Sequence, residues 1–154
     1  MKAFKFKLRA VQRLKELKLD EIERQIVTLV NIFENEQKQL RLLFEEKTQV
    51  RANRNKYQLD LNFVMVEFSR KYEENLAYKI SSQELRVAEA NTNLKQAKQN
   101  RMEALNERRI MDKLEEVEYK KFSLKRARFE QNQLDDINSL RFARKSSSVK
   151  VDGE

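Results

Sequence analysis

Residues that end helices are almost absent from this 154-residue chain, which contains no proline and a single glycine, Gly153. Helices ordinarily stop at proline and glycine, so nothing before Gly153 divides the chain into short elements. Charged residues make up 38% of the chain and apolar residues 40%. That mixture is too polar for a multilayered core, but it suits long helices that each bury one narrow stripe. The sequence therefore predicts an all-α fold.

Apolar residues of the first half recur at alternating intervals of four and three. The row comprises Leu19, Ile22, Ile26, Leu29, Phe33, Leu40, Leu43, Val50, Tyr57, Leu61, Val64 and Phe68, and it is interrupted at Glu36, Lys47 and Arg54. This spacing predicts the seam of a coiled coil, the row of side chains along which two helices pack. Upstream, the eleven residues from Val11 to Ile22 predict a stutter, a local unwinding of the supercoil.

The second half is less regular. Ile80, Val87 and Leu94 are spaced by seven, with polar Glu84, Asn91 and Lys98 between and after them. A broad apolar face then follows, formed by Ile110, Leu114, Val117, Phe122, Leu124, Phe129, Leu134 and Ile137. One seam requires a partner helix, supplied by a hairpin or by a dimer. Asp60 and Asn62 are good helix caps at which a hairpin would turn, Ser81-Ser82 is a second candidate, and the pattern leaves both open.

Several chemistries lack their residues. The chain has no cysteine and no histidine, which excludes disulfides, thiolate metal sites and a general base with a pKa near neutrality. No glycine-rich phosphate loop is present, and no apolar run is long enough to span a membrane. We expect no enzyme, catalytic residue, cofactor or metal, and we expect a cytoplasmic protein.

Motifs along most of the chain resemble one family. They are Phe4-Lys5-Phe6-Lys7-Leu8-Arg9 near the start, Tyr72 with Leu76 and Ile80, Tyr119-Lys120-Lys121-Phe122, Arg128-Phe129-Glu130-Gln131, and Leu134-Asp135-Asp136-Ile137 with Phe142. In order and separation they resemble the FliJ family, stalk proteins of the bacterial flagellar type III export ATPase. The resemblance implies an antiparallel two-helix coiled coil that inserts its ends into a hexameric export ATPase and links it to the membrane export gate. It also implies a peripheral position at the cytoplasmic face of the inner membrane, with export chaperones as further partners.

The resemblance also favours a tip near Asn55 to Phe63. One coiled-coil hairpin would then occupy residues 1–143, with arm one at about 4–57, the tip at about 57–63 and arm two at about 62–143, followed by a disordered tail at 144–154. An antiparallel register around that tip pairs Leu8 near Met111. The stretch from Leu114 to Phe142 then overhangs without an internal partner, and its apolar face must be buried in something else.

Two sets of contact residues follow from the resemblance. Tyr72, Leu76 and Gln83 match positions expected to contact the export gate, with Gln39, Leu43 and Val50 at the facing positions of the first arm. Arg128, Asp135 and Asp136, together with the overhanging Leu134 and Ile137, are expected to contact the ATPase.

Positive charge is concentrated in two regions. The net charge of the chain is +8, and residues 1–18 and 120–150 each carry an excess of basic residues, which suits an acidic pore and fast association. Nucleic acid is not expected, because no basic-region or reading helix is recognisable. A membrane-surface role for the N-terminal stretch, an injectisome secretion stalk and a generic coiled-coil adaptor or rod remain alternatives. We expect a monomer in isolation.

Overall fold

The computed structural model describes residues 3–148, with side chains described for residues 3–144. It contains two α-helices, α1 (Arg9–Leu59) and α2 (Phe63–Ser148). The helices are antiparallel and pack against each other, and no β-strand occurs among residues 3–148. The predicted all-α hairpin is confirmed.

The first helix ends in a Schellman motif, a paired set of backbone hydrogen bonds that closes a helix C-terminus. The amide of Asn62 donates to the carbonyl of Tyr57 at 2.9 Å, and the amide of Leu61 donates to the carbonyl of Gln58 at 3.2 Å. Leu61 takes the left-handed conformation that this motif requires, with φ of 56°. Glycine is usual at such a position because a Cβ atom is disfavoured there.

Asn62 then caps the second helix. Its side-chain oxygen accepts a hydrogen bond from the amide of Met65 at 3.2 Å, which satisfies one of the amides left open at a helix start. The connection between the two helices therefore lies between Leu59 and Phe63. The alternative turn at Ser81-Ser82 is wrong, because both serines lie inside α2.

The position of the turn removes the last residues of the first apolar row from the predicted seam. Leu61, Val64 and Phe68 continue its spacing, yet they are 71%, 80% and 65% exposed. The chain reverses after Leu59, so residues beyond it no longer belong to the face that α1 presents to its partner.

Two compact units make up the chain. The hairpin unit contains Glu16–Leu105, and the terminal unit contains residues 1–15 and 106–154, of which 3–15 and 106–148 are described.

In the hairpin unit, the buried and half-buried residues of α1 coincide with the predicted seam. Leu19 is buried, and the other seam positions up to Tyr57 are half-buried: Ile22, Ile26, Leu29, Phe33, Leu40, Leu43 and Val50. The three polar interruptions, Glu36, Lys47 and Arg54, are half-buried as well. They therefore occupy the same face, and the heptad register continues through them.

The α2 side of this seam differs from the expected one. Ile80 and Leu94 are buried as predicted, but the positions between and after them are filled by Gln83, Ala90, Ala97 and Ala104, all buried. Glu84 and Lys98, which the heptad spacing places at the intervening seam positions, are exposed. Alanine is small enough to lie between two closely packed helices, so a search for large apolar residues alone misses these positions.

In the terminal unit, the seam of α1 passes through polar residues. Gln12 is buried and Lys15 is half-buried, whereas Val11 is 40% exposed. The spacing from Gln12 to Lys15 to Leu19 keeps the three-four alternation, so the predicted stutter is absent. Arg9 pairs with Glu115 at 3.2 Å, which places the register about one helical turn from the predicted pairing of Leu8 with Met111.

The boundaries of the arms also shift. Residues 3–8 precede α1 rather than starting it, and α2 continues past Ala143 to Ser148. Residues 144–148, part of the tail predicted to be disordered, are helical instead, because neither proline nor glycine ends the helix before them. The rest of that tail, residues 149–154, lies outside the described residues.

Candidate functional site

The terminal unit contains a long stretch of α2 that is exposed on every side. Every residue from 123 to 144, here called the exposed segment, is solvent-exposed, whereas Phe122 just before it is half-buried. The predicted overhang therefore exists, but it begins after Phe122 rather than at Leu114. The one-turn shift in register accounts for part of this difference.

Large apolar side chains occur throughout the exposed segment. Leu124, Phe129, Leu134, Ile137, Leu140 and Phe142 are 62%, 44%, 56%, 46%, 62% and 75% exposed. At 100° per residue, Phe129 and Leu140 continue the face that carries Phe122, while Leu124 and Phe142 lie on the opposite face. The segment is thus apolar on more than one side, unlike an ordinary amphipathic helix.

The N-terminal residues cover α2 where the exposed segment begins. The ring of Phe4 lies 5.3 Å from that of Tyr119 in an edge-on arrangement and 5.5 Å from that of Phe122. Phe6 is buried. Aromatic contacts of this kind add to the burial of apolar surface. Beside Phe4 lies an open groove of about 490 Å³, which extends onto the exposed segment as far as Gln133.

A polar cluster joins the two helices next to these aromatic residues. The amide nitrogen of buried Gln12 donates to Asp112 and to Glu115, both at 2.9 Å. Lys15 pairs with Glu107 at 2.8 Å. Sequence reasoning missed this cluster, because Gln12 carries no mark that separates a buried glutamine from an exposed one.

Charged side chains on the outer surface form solvated pairs along α2. Lys120 pairs with Glu116 at 2.6 Å, and Arg126 pairs with Glu130 at 2.8 Å. The hydrogen bond from Lys120 holds the pKa of Glu116 below its usual value. Pairs this exposed contribute little to stability, and they remain available to a charged partner.

The residues expected to contact the ATPase all lie in the exposed segment. Arg128, Leu134, Asp135, Asp136 and Ile137 are exposed. The carboxylate of Asp135 accepts a hydrogen bond from Gln131 at 3.2 Å. The structure brings these residues together on one stretch of helix, with surface that a partner can reach.

The α2 residues expected to contact the export gate are placed differently. Leu76 is fully buried, and buried Gln83 donates hydrogen bonds to the carboxylate and the backbone carbonyl of Glu36. Half-buried Tyr72 donates to Glu46, and this hydrogen bond raises the pKa of Tyr72. These side chains hold α1 and α2 together.

The predicted gate contacts on α1, like those on α2, differ in exposure. Leu43 and Val50 are half-buried seam residues, and Gln39 is exposed. Of the six predicted gate contacts, Leu76 offers no surface to a partner in this conformation, and Gln39 is the one on the outer surface.

Nothing among the described residues resembles a metal centre or a membrane span. Residues 3–148 contain no group of three or more side chains able to hold a metal ion. Neither helix, as described, has an apolar stretch long enough to cross a bilayer.

The chain is thus an antiparallel two-helix protein whose second helix carries an exposed apolar segment. The family model of the flagellar FliJ protein matches residues 4–147, nearly the whole chain, so the chain belongs to the FliJ family. Membership implies a component of the flagellar export apparatus, from a family that is structural or chaperone-like and not known for enzymes. No curated protein and no solved structure matches the chain.

Proposed function

We propose that this chain is the stalk of the flagellar export apparatus, which docks onto the hexameric export ATPase and couples it to the membrane export gate. It would act in the cytoplasm, at the cytoplasmic face of the inner membrane. The observation that carries the proposal is the exposed segment, where large apolar side chains remain in contact with water. Such a surface is expected to be covered by a partner.

The distribution of these side chains favours an opening over a flat surface. A flat partner covers one face of a helix, yet Phe129 and Leu124 lie on opposite faces. A helix with apolar residues on several faces can bury all of them only where it is surrounded. The central opening of a hexameric ring provides such surroundings.

Charge supports the same partner. Residues 123–144 contain five basic and three acidic side chains, within a region that is basic overall. A ring opening lined by acidic groups would attract this segment and speed its entry. Replacing Arg126 and Arg128 by glutamate should slow association and reduce its dependence on salt, because exposed charges act mainly on encounter.

Substitution within the exposed segment tests docking. Leu134→Ser with Ile137→Ser should weaken binding of the full chain to the purified hexameric ATPase by about tenfold or more, since each removes apolar surface that the complex buries. Helicity should not change, because both residues are exposed. The matched control is Tyr78→Ser with Leu85→Ser, two exposed apolar residues of the hairpin unit. Equal binding by the two double variants would contradict the proposal.

For the export gate, an exposed groove at the edge of the seam is a better candidate than the buried seam residues. Phe44 is 45% exposed and lines this shallow groove with Leu40, Arg41 and Val87. Phe44→Ser should reduce binding to the isolated gate protein while leaving ATPase binding unchanged. If Phe44→Ser binds the gate like the parent chain, this groove is not the contact.

We also propose that the isolated chain is a monomer. The seam of α1 already packs against α2, so a second copy is not needed to cover it. Light scattering combined with size-exclusion chromatography measures the mass directly, and a dimer mass would contradict the monomer.

A further inference from the structure

The turn of the hairpin unit carries a second exposed apolar surface. Five large apolar side chains at and around the chain reversal are 65% to 84% exposed: Leu59, Leu61, Phe63, Val64 and Phe68. We call these five residues the turn patch. None belongs to the seam, and the proposed docking to the ATPase uses none of them.

The turn patch is broader than the single row of side chains that packs against another helix. A partner helix packs along a row whose members are three or four residues apart. Phe63, Val64 and Phe68 are one and four residues apart, and at 100° per residue they spread over more than a third of the circumference of α2. Leu59 and Leu61 extend the patch to α1 and to the turn itself. The patch therefore covers the convex end of the hairpin.

Backbone groups at the turn are paired internally. The amides of Asp60, Leu61 and Asn62 donate to carbonyls in the last turn of α1 at 2.9 to 3.2 Å. The Asn62 side chain accepts the amide of Met65. Unpaired backbone groups make it energetically costly to place a chain reversal against hydrocarbon. These hydrogen bonds lower that cost.

Basic side chains lie behind the patch on both helices. Residues 51–74 contain five basic and four acidic residues. Arg51 and Arg54 pair with Glu73, and Arg70 pairs with Glu67 and Glu74. Lys56 lies one turn before Leu59, and Lys71 lies one turn after Phe68, and both are exposed. Apolar residues with lysine about one turn back form an arrangement that binds the interface of an anionic bilayer.

We propose that the turn patch inserts into the surface of an anionic lipid bilayer, with Lys56 and Lys71 among the headgroups. A convex apolar end with cations behind it fits a deformable lipid surface. Asp60, the acidic residue of the turn, opposes insertion, which keeps binding weak and reversible. The inference does not depend on ATPase docking, because that docking uses residues of the terminal unit.

Site-specific fluorescence tests insertion directly, because the chain has no cysteine and one introduced cysteine takes a single label. Full-length Val64→Cys, carrying an environment-sensitive dye, is mixed with phosphatidylglycerol–phosphatidylethanolamine vesicles. Emission should shift to the blue and be quenched by lipid-borne quenchers. The matched control is Tyr78→Cys, since Tyr78 is 79% exposed but outside the patch; it should show neither effect. No quenching at position 64, or equal quenching at both positions, would overturn the proposal.

Sedimentation with the same vesicles separates insertion from attraction by the basic termini. Phe63→Ser with Phe68→Ser should weaken binding about tenfold or more, whereas Tyr78→Ser with Leu85→Ser should not. Asp60→Asn should strengthen it, because a charge then no longer enters the interface. If the patch binds a protein partner instead, neither Phe63→Ser with Phe68→Ser nor Asp60→Asn changes vesicle binding. That result would reject the lipid surface as the partner.

Discussion

The two units hold the same pair of helices together in different ways. In the hairpin unit the buried side chains are mostly apolar, with Leu76, Ile80 and Leu94 among them. In the terminal unit, which buries Phe6 and Met111, buried Gln12 bonds to two carboxylates, whereas buried Gln83 of the hairpin unit bonds to Glu36 alone. Apolar burial stabilises without specifying direction, whereas a hydrogen-bonded cluster specifies register and is costly when incomplete. We therefore expect the hairpin unit to carry most of the stability and the terminal unit to carry a fixed alignment.

The largest expected effect is in the apolar seam. Leu76→Ala should lower the free energy of unfolding by about 2–5 kcal/mol, because it leaves a cavity where no solvent-exposed surface existed. Leu85→Ala, at a residue 72% exposed, is the control and should change it by about 0.5 kcal/mol or less. Urea unfolding followed by circular dichroism measures both. Similar losses at the two positions would remove the distinction between seam and surface.

The alanine positions of α2 provide the next test. Ala97→Leu should destabilise by about 1–3 kcal/mol, since the helices have no room for three added carbon atoms at a buried site. Ala88→Leu, at an exposed site of the same helix, should be close to neutral. Thermal melts of the two variants decide the matter, and a stabilising Ala97→Leu would mean that the seam is loosely packed there.

The polar cluster should show an effect of similar or smaller size, confined to the terminal unit. Gln12→Ala removes the donor to Asp112 and Glu115 and should cost about 1–3 kcal/mol. Hydrogen exchange of amides in residues 9–15 should become faster, while amides around Leu76 keep their protection. The neighbouring exposed Arg13→Ala serves as the control. Uniform acceleration across both units would show that the two kinds of seam are not energetically separate.

The smallest effect is expected for an exposed ion pair of the hairpin unit. Arg101 pairs with Glu23 at 3.1 Å, and both side chains are about half exposed. A double-mutant cycle with alanine should give a coupling of about 0.2–1 kcal/mol that declines with salt. A larger coupling would mean that exposed ion pairs stabilise the hairpin unit as well as its buried side chains do, which would weaken the contrast between the two units.

The sequence predicts the seam of α1 better than that of α2, for a physical reason. On α1 the large residues from Leu19 to Val50 mark the buried face clearly enough to include the polar Glu36 on it. On α2 the same face carries Ala90, Ala97 and Gln83, which sequence periodicity does not distinguish from surface residues. Burial there depends on how closely the facing helix approaches, which is a property of the pair.

For the candidate sites too, the sequence predicts what the length of the helices determines and misses what depends on the facing helix. The exposed segment was predictable, because a count of residues on either side of the turn leaves α2 longer than α1. Family resemblance placed gate contacts at Leu76 and Gln83, but both are buried against α1. The turn patch was hidden, since Val64 and Phe68 continue the heptad spacing of α1, and periodicity alone assigned them to the seam.

The Schellman turn at Leu61 has a consequence for how the chain folds. Contacts between the helices span sequence separations that grow from 19 for Arg54 with Glu73, through 47 for Gln83 with Glu36, to 103 for Gln12 with Glu115. Each contact formed near the turn shortens the loop that the next one must close, so the entropy of closure is lost in small steps. Interhelical contacts should therefore form in order from the turn toward the chain ends. The folding rate should be higher than the large sequence separations of these contacts alone would suggest. The pairs around Gln12 would then form last and open first.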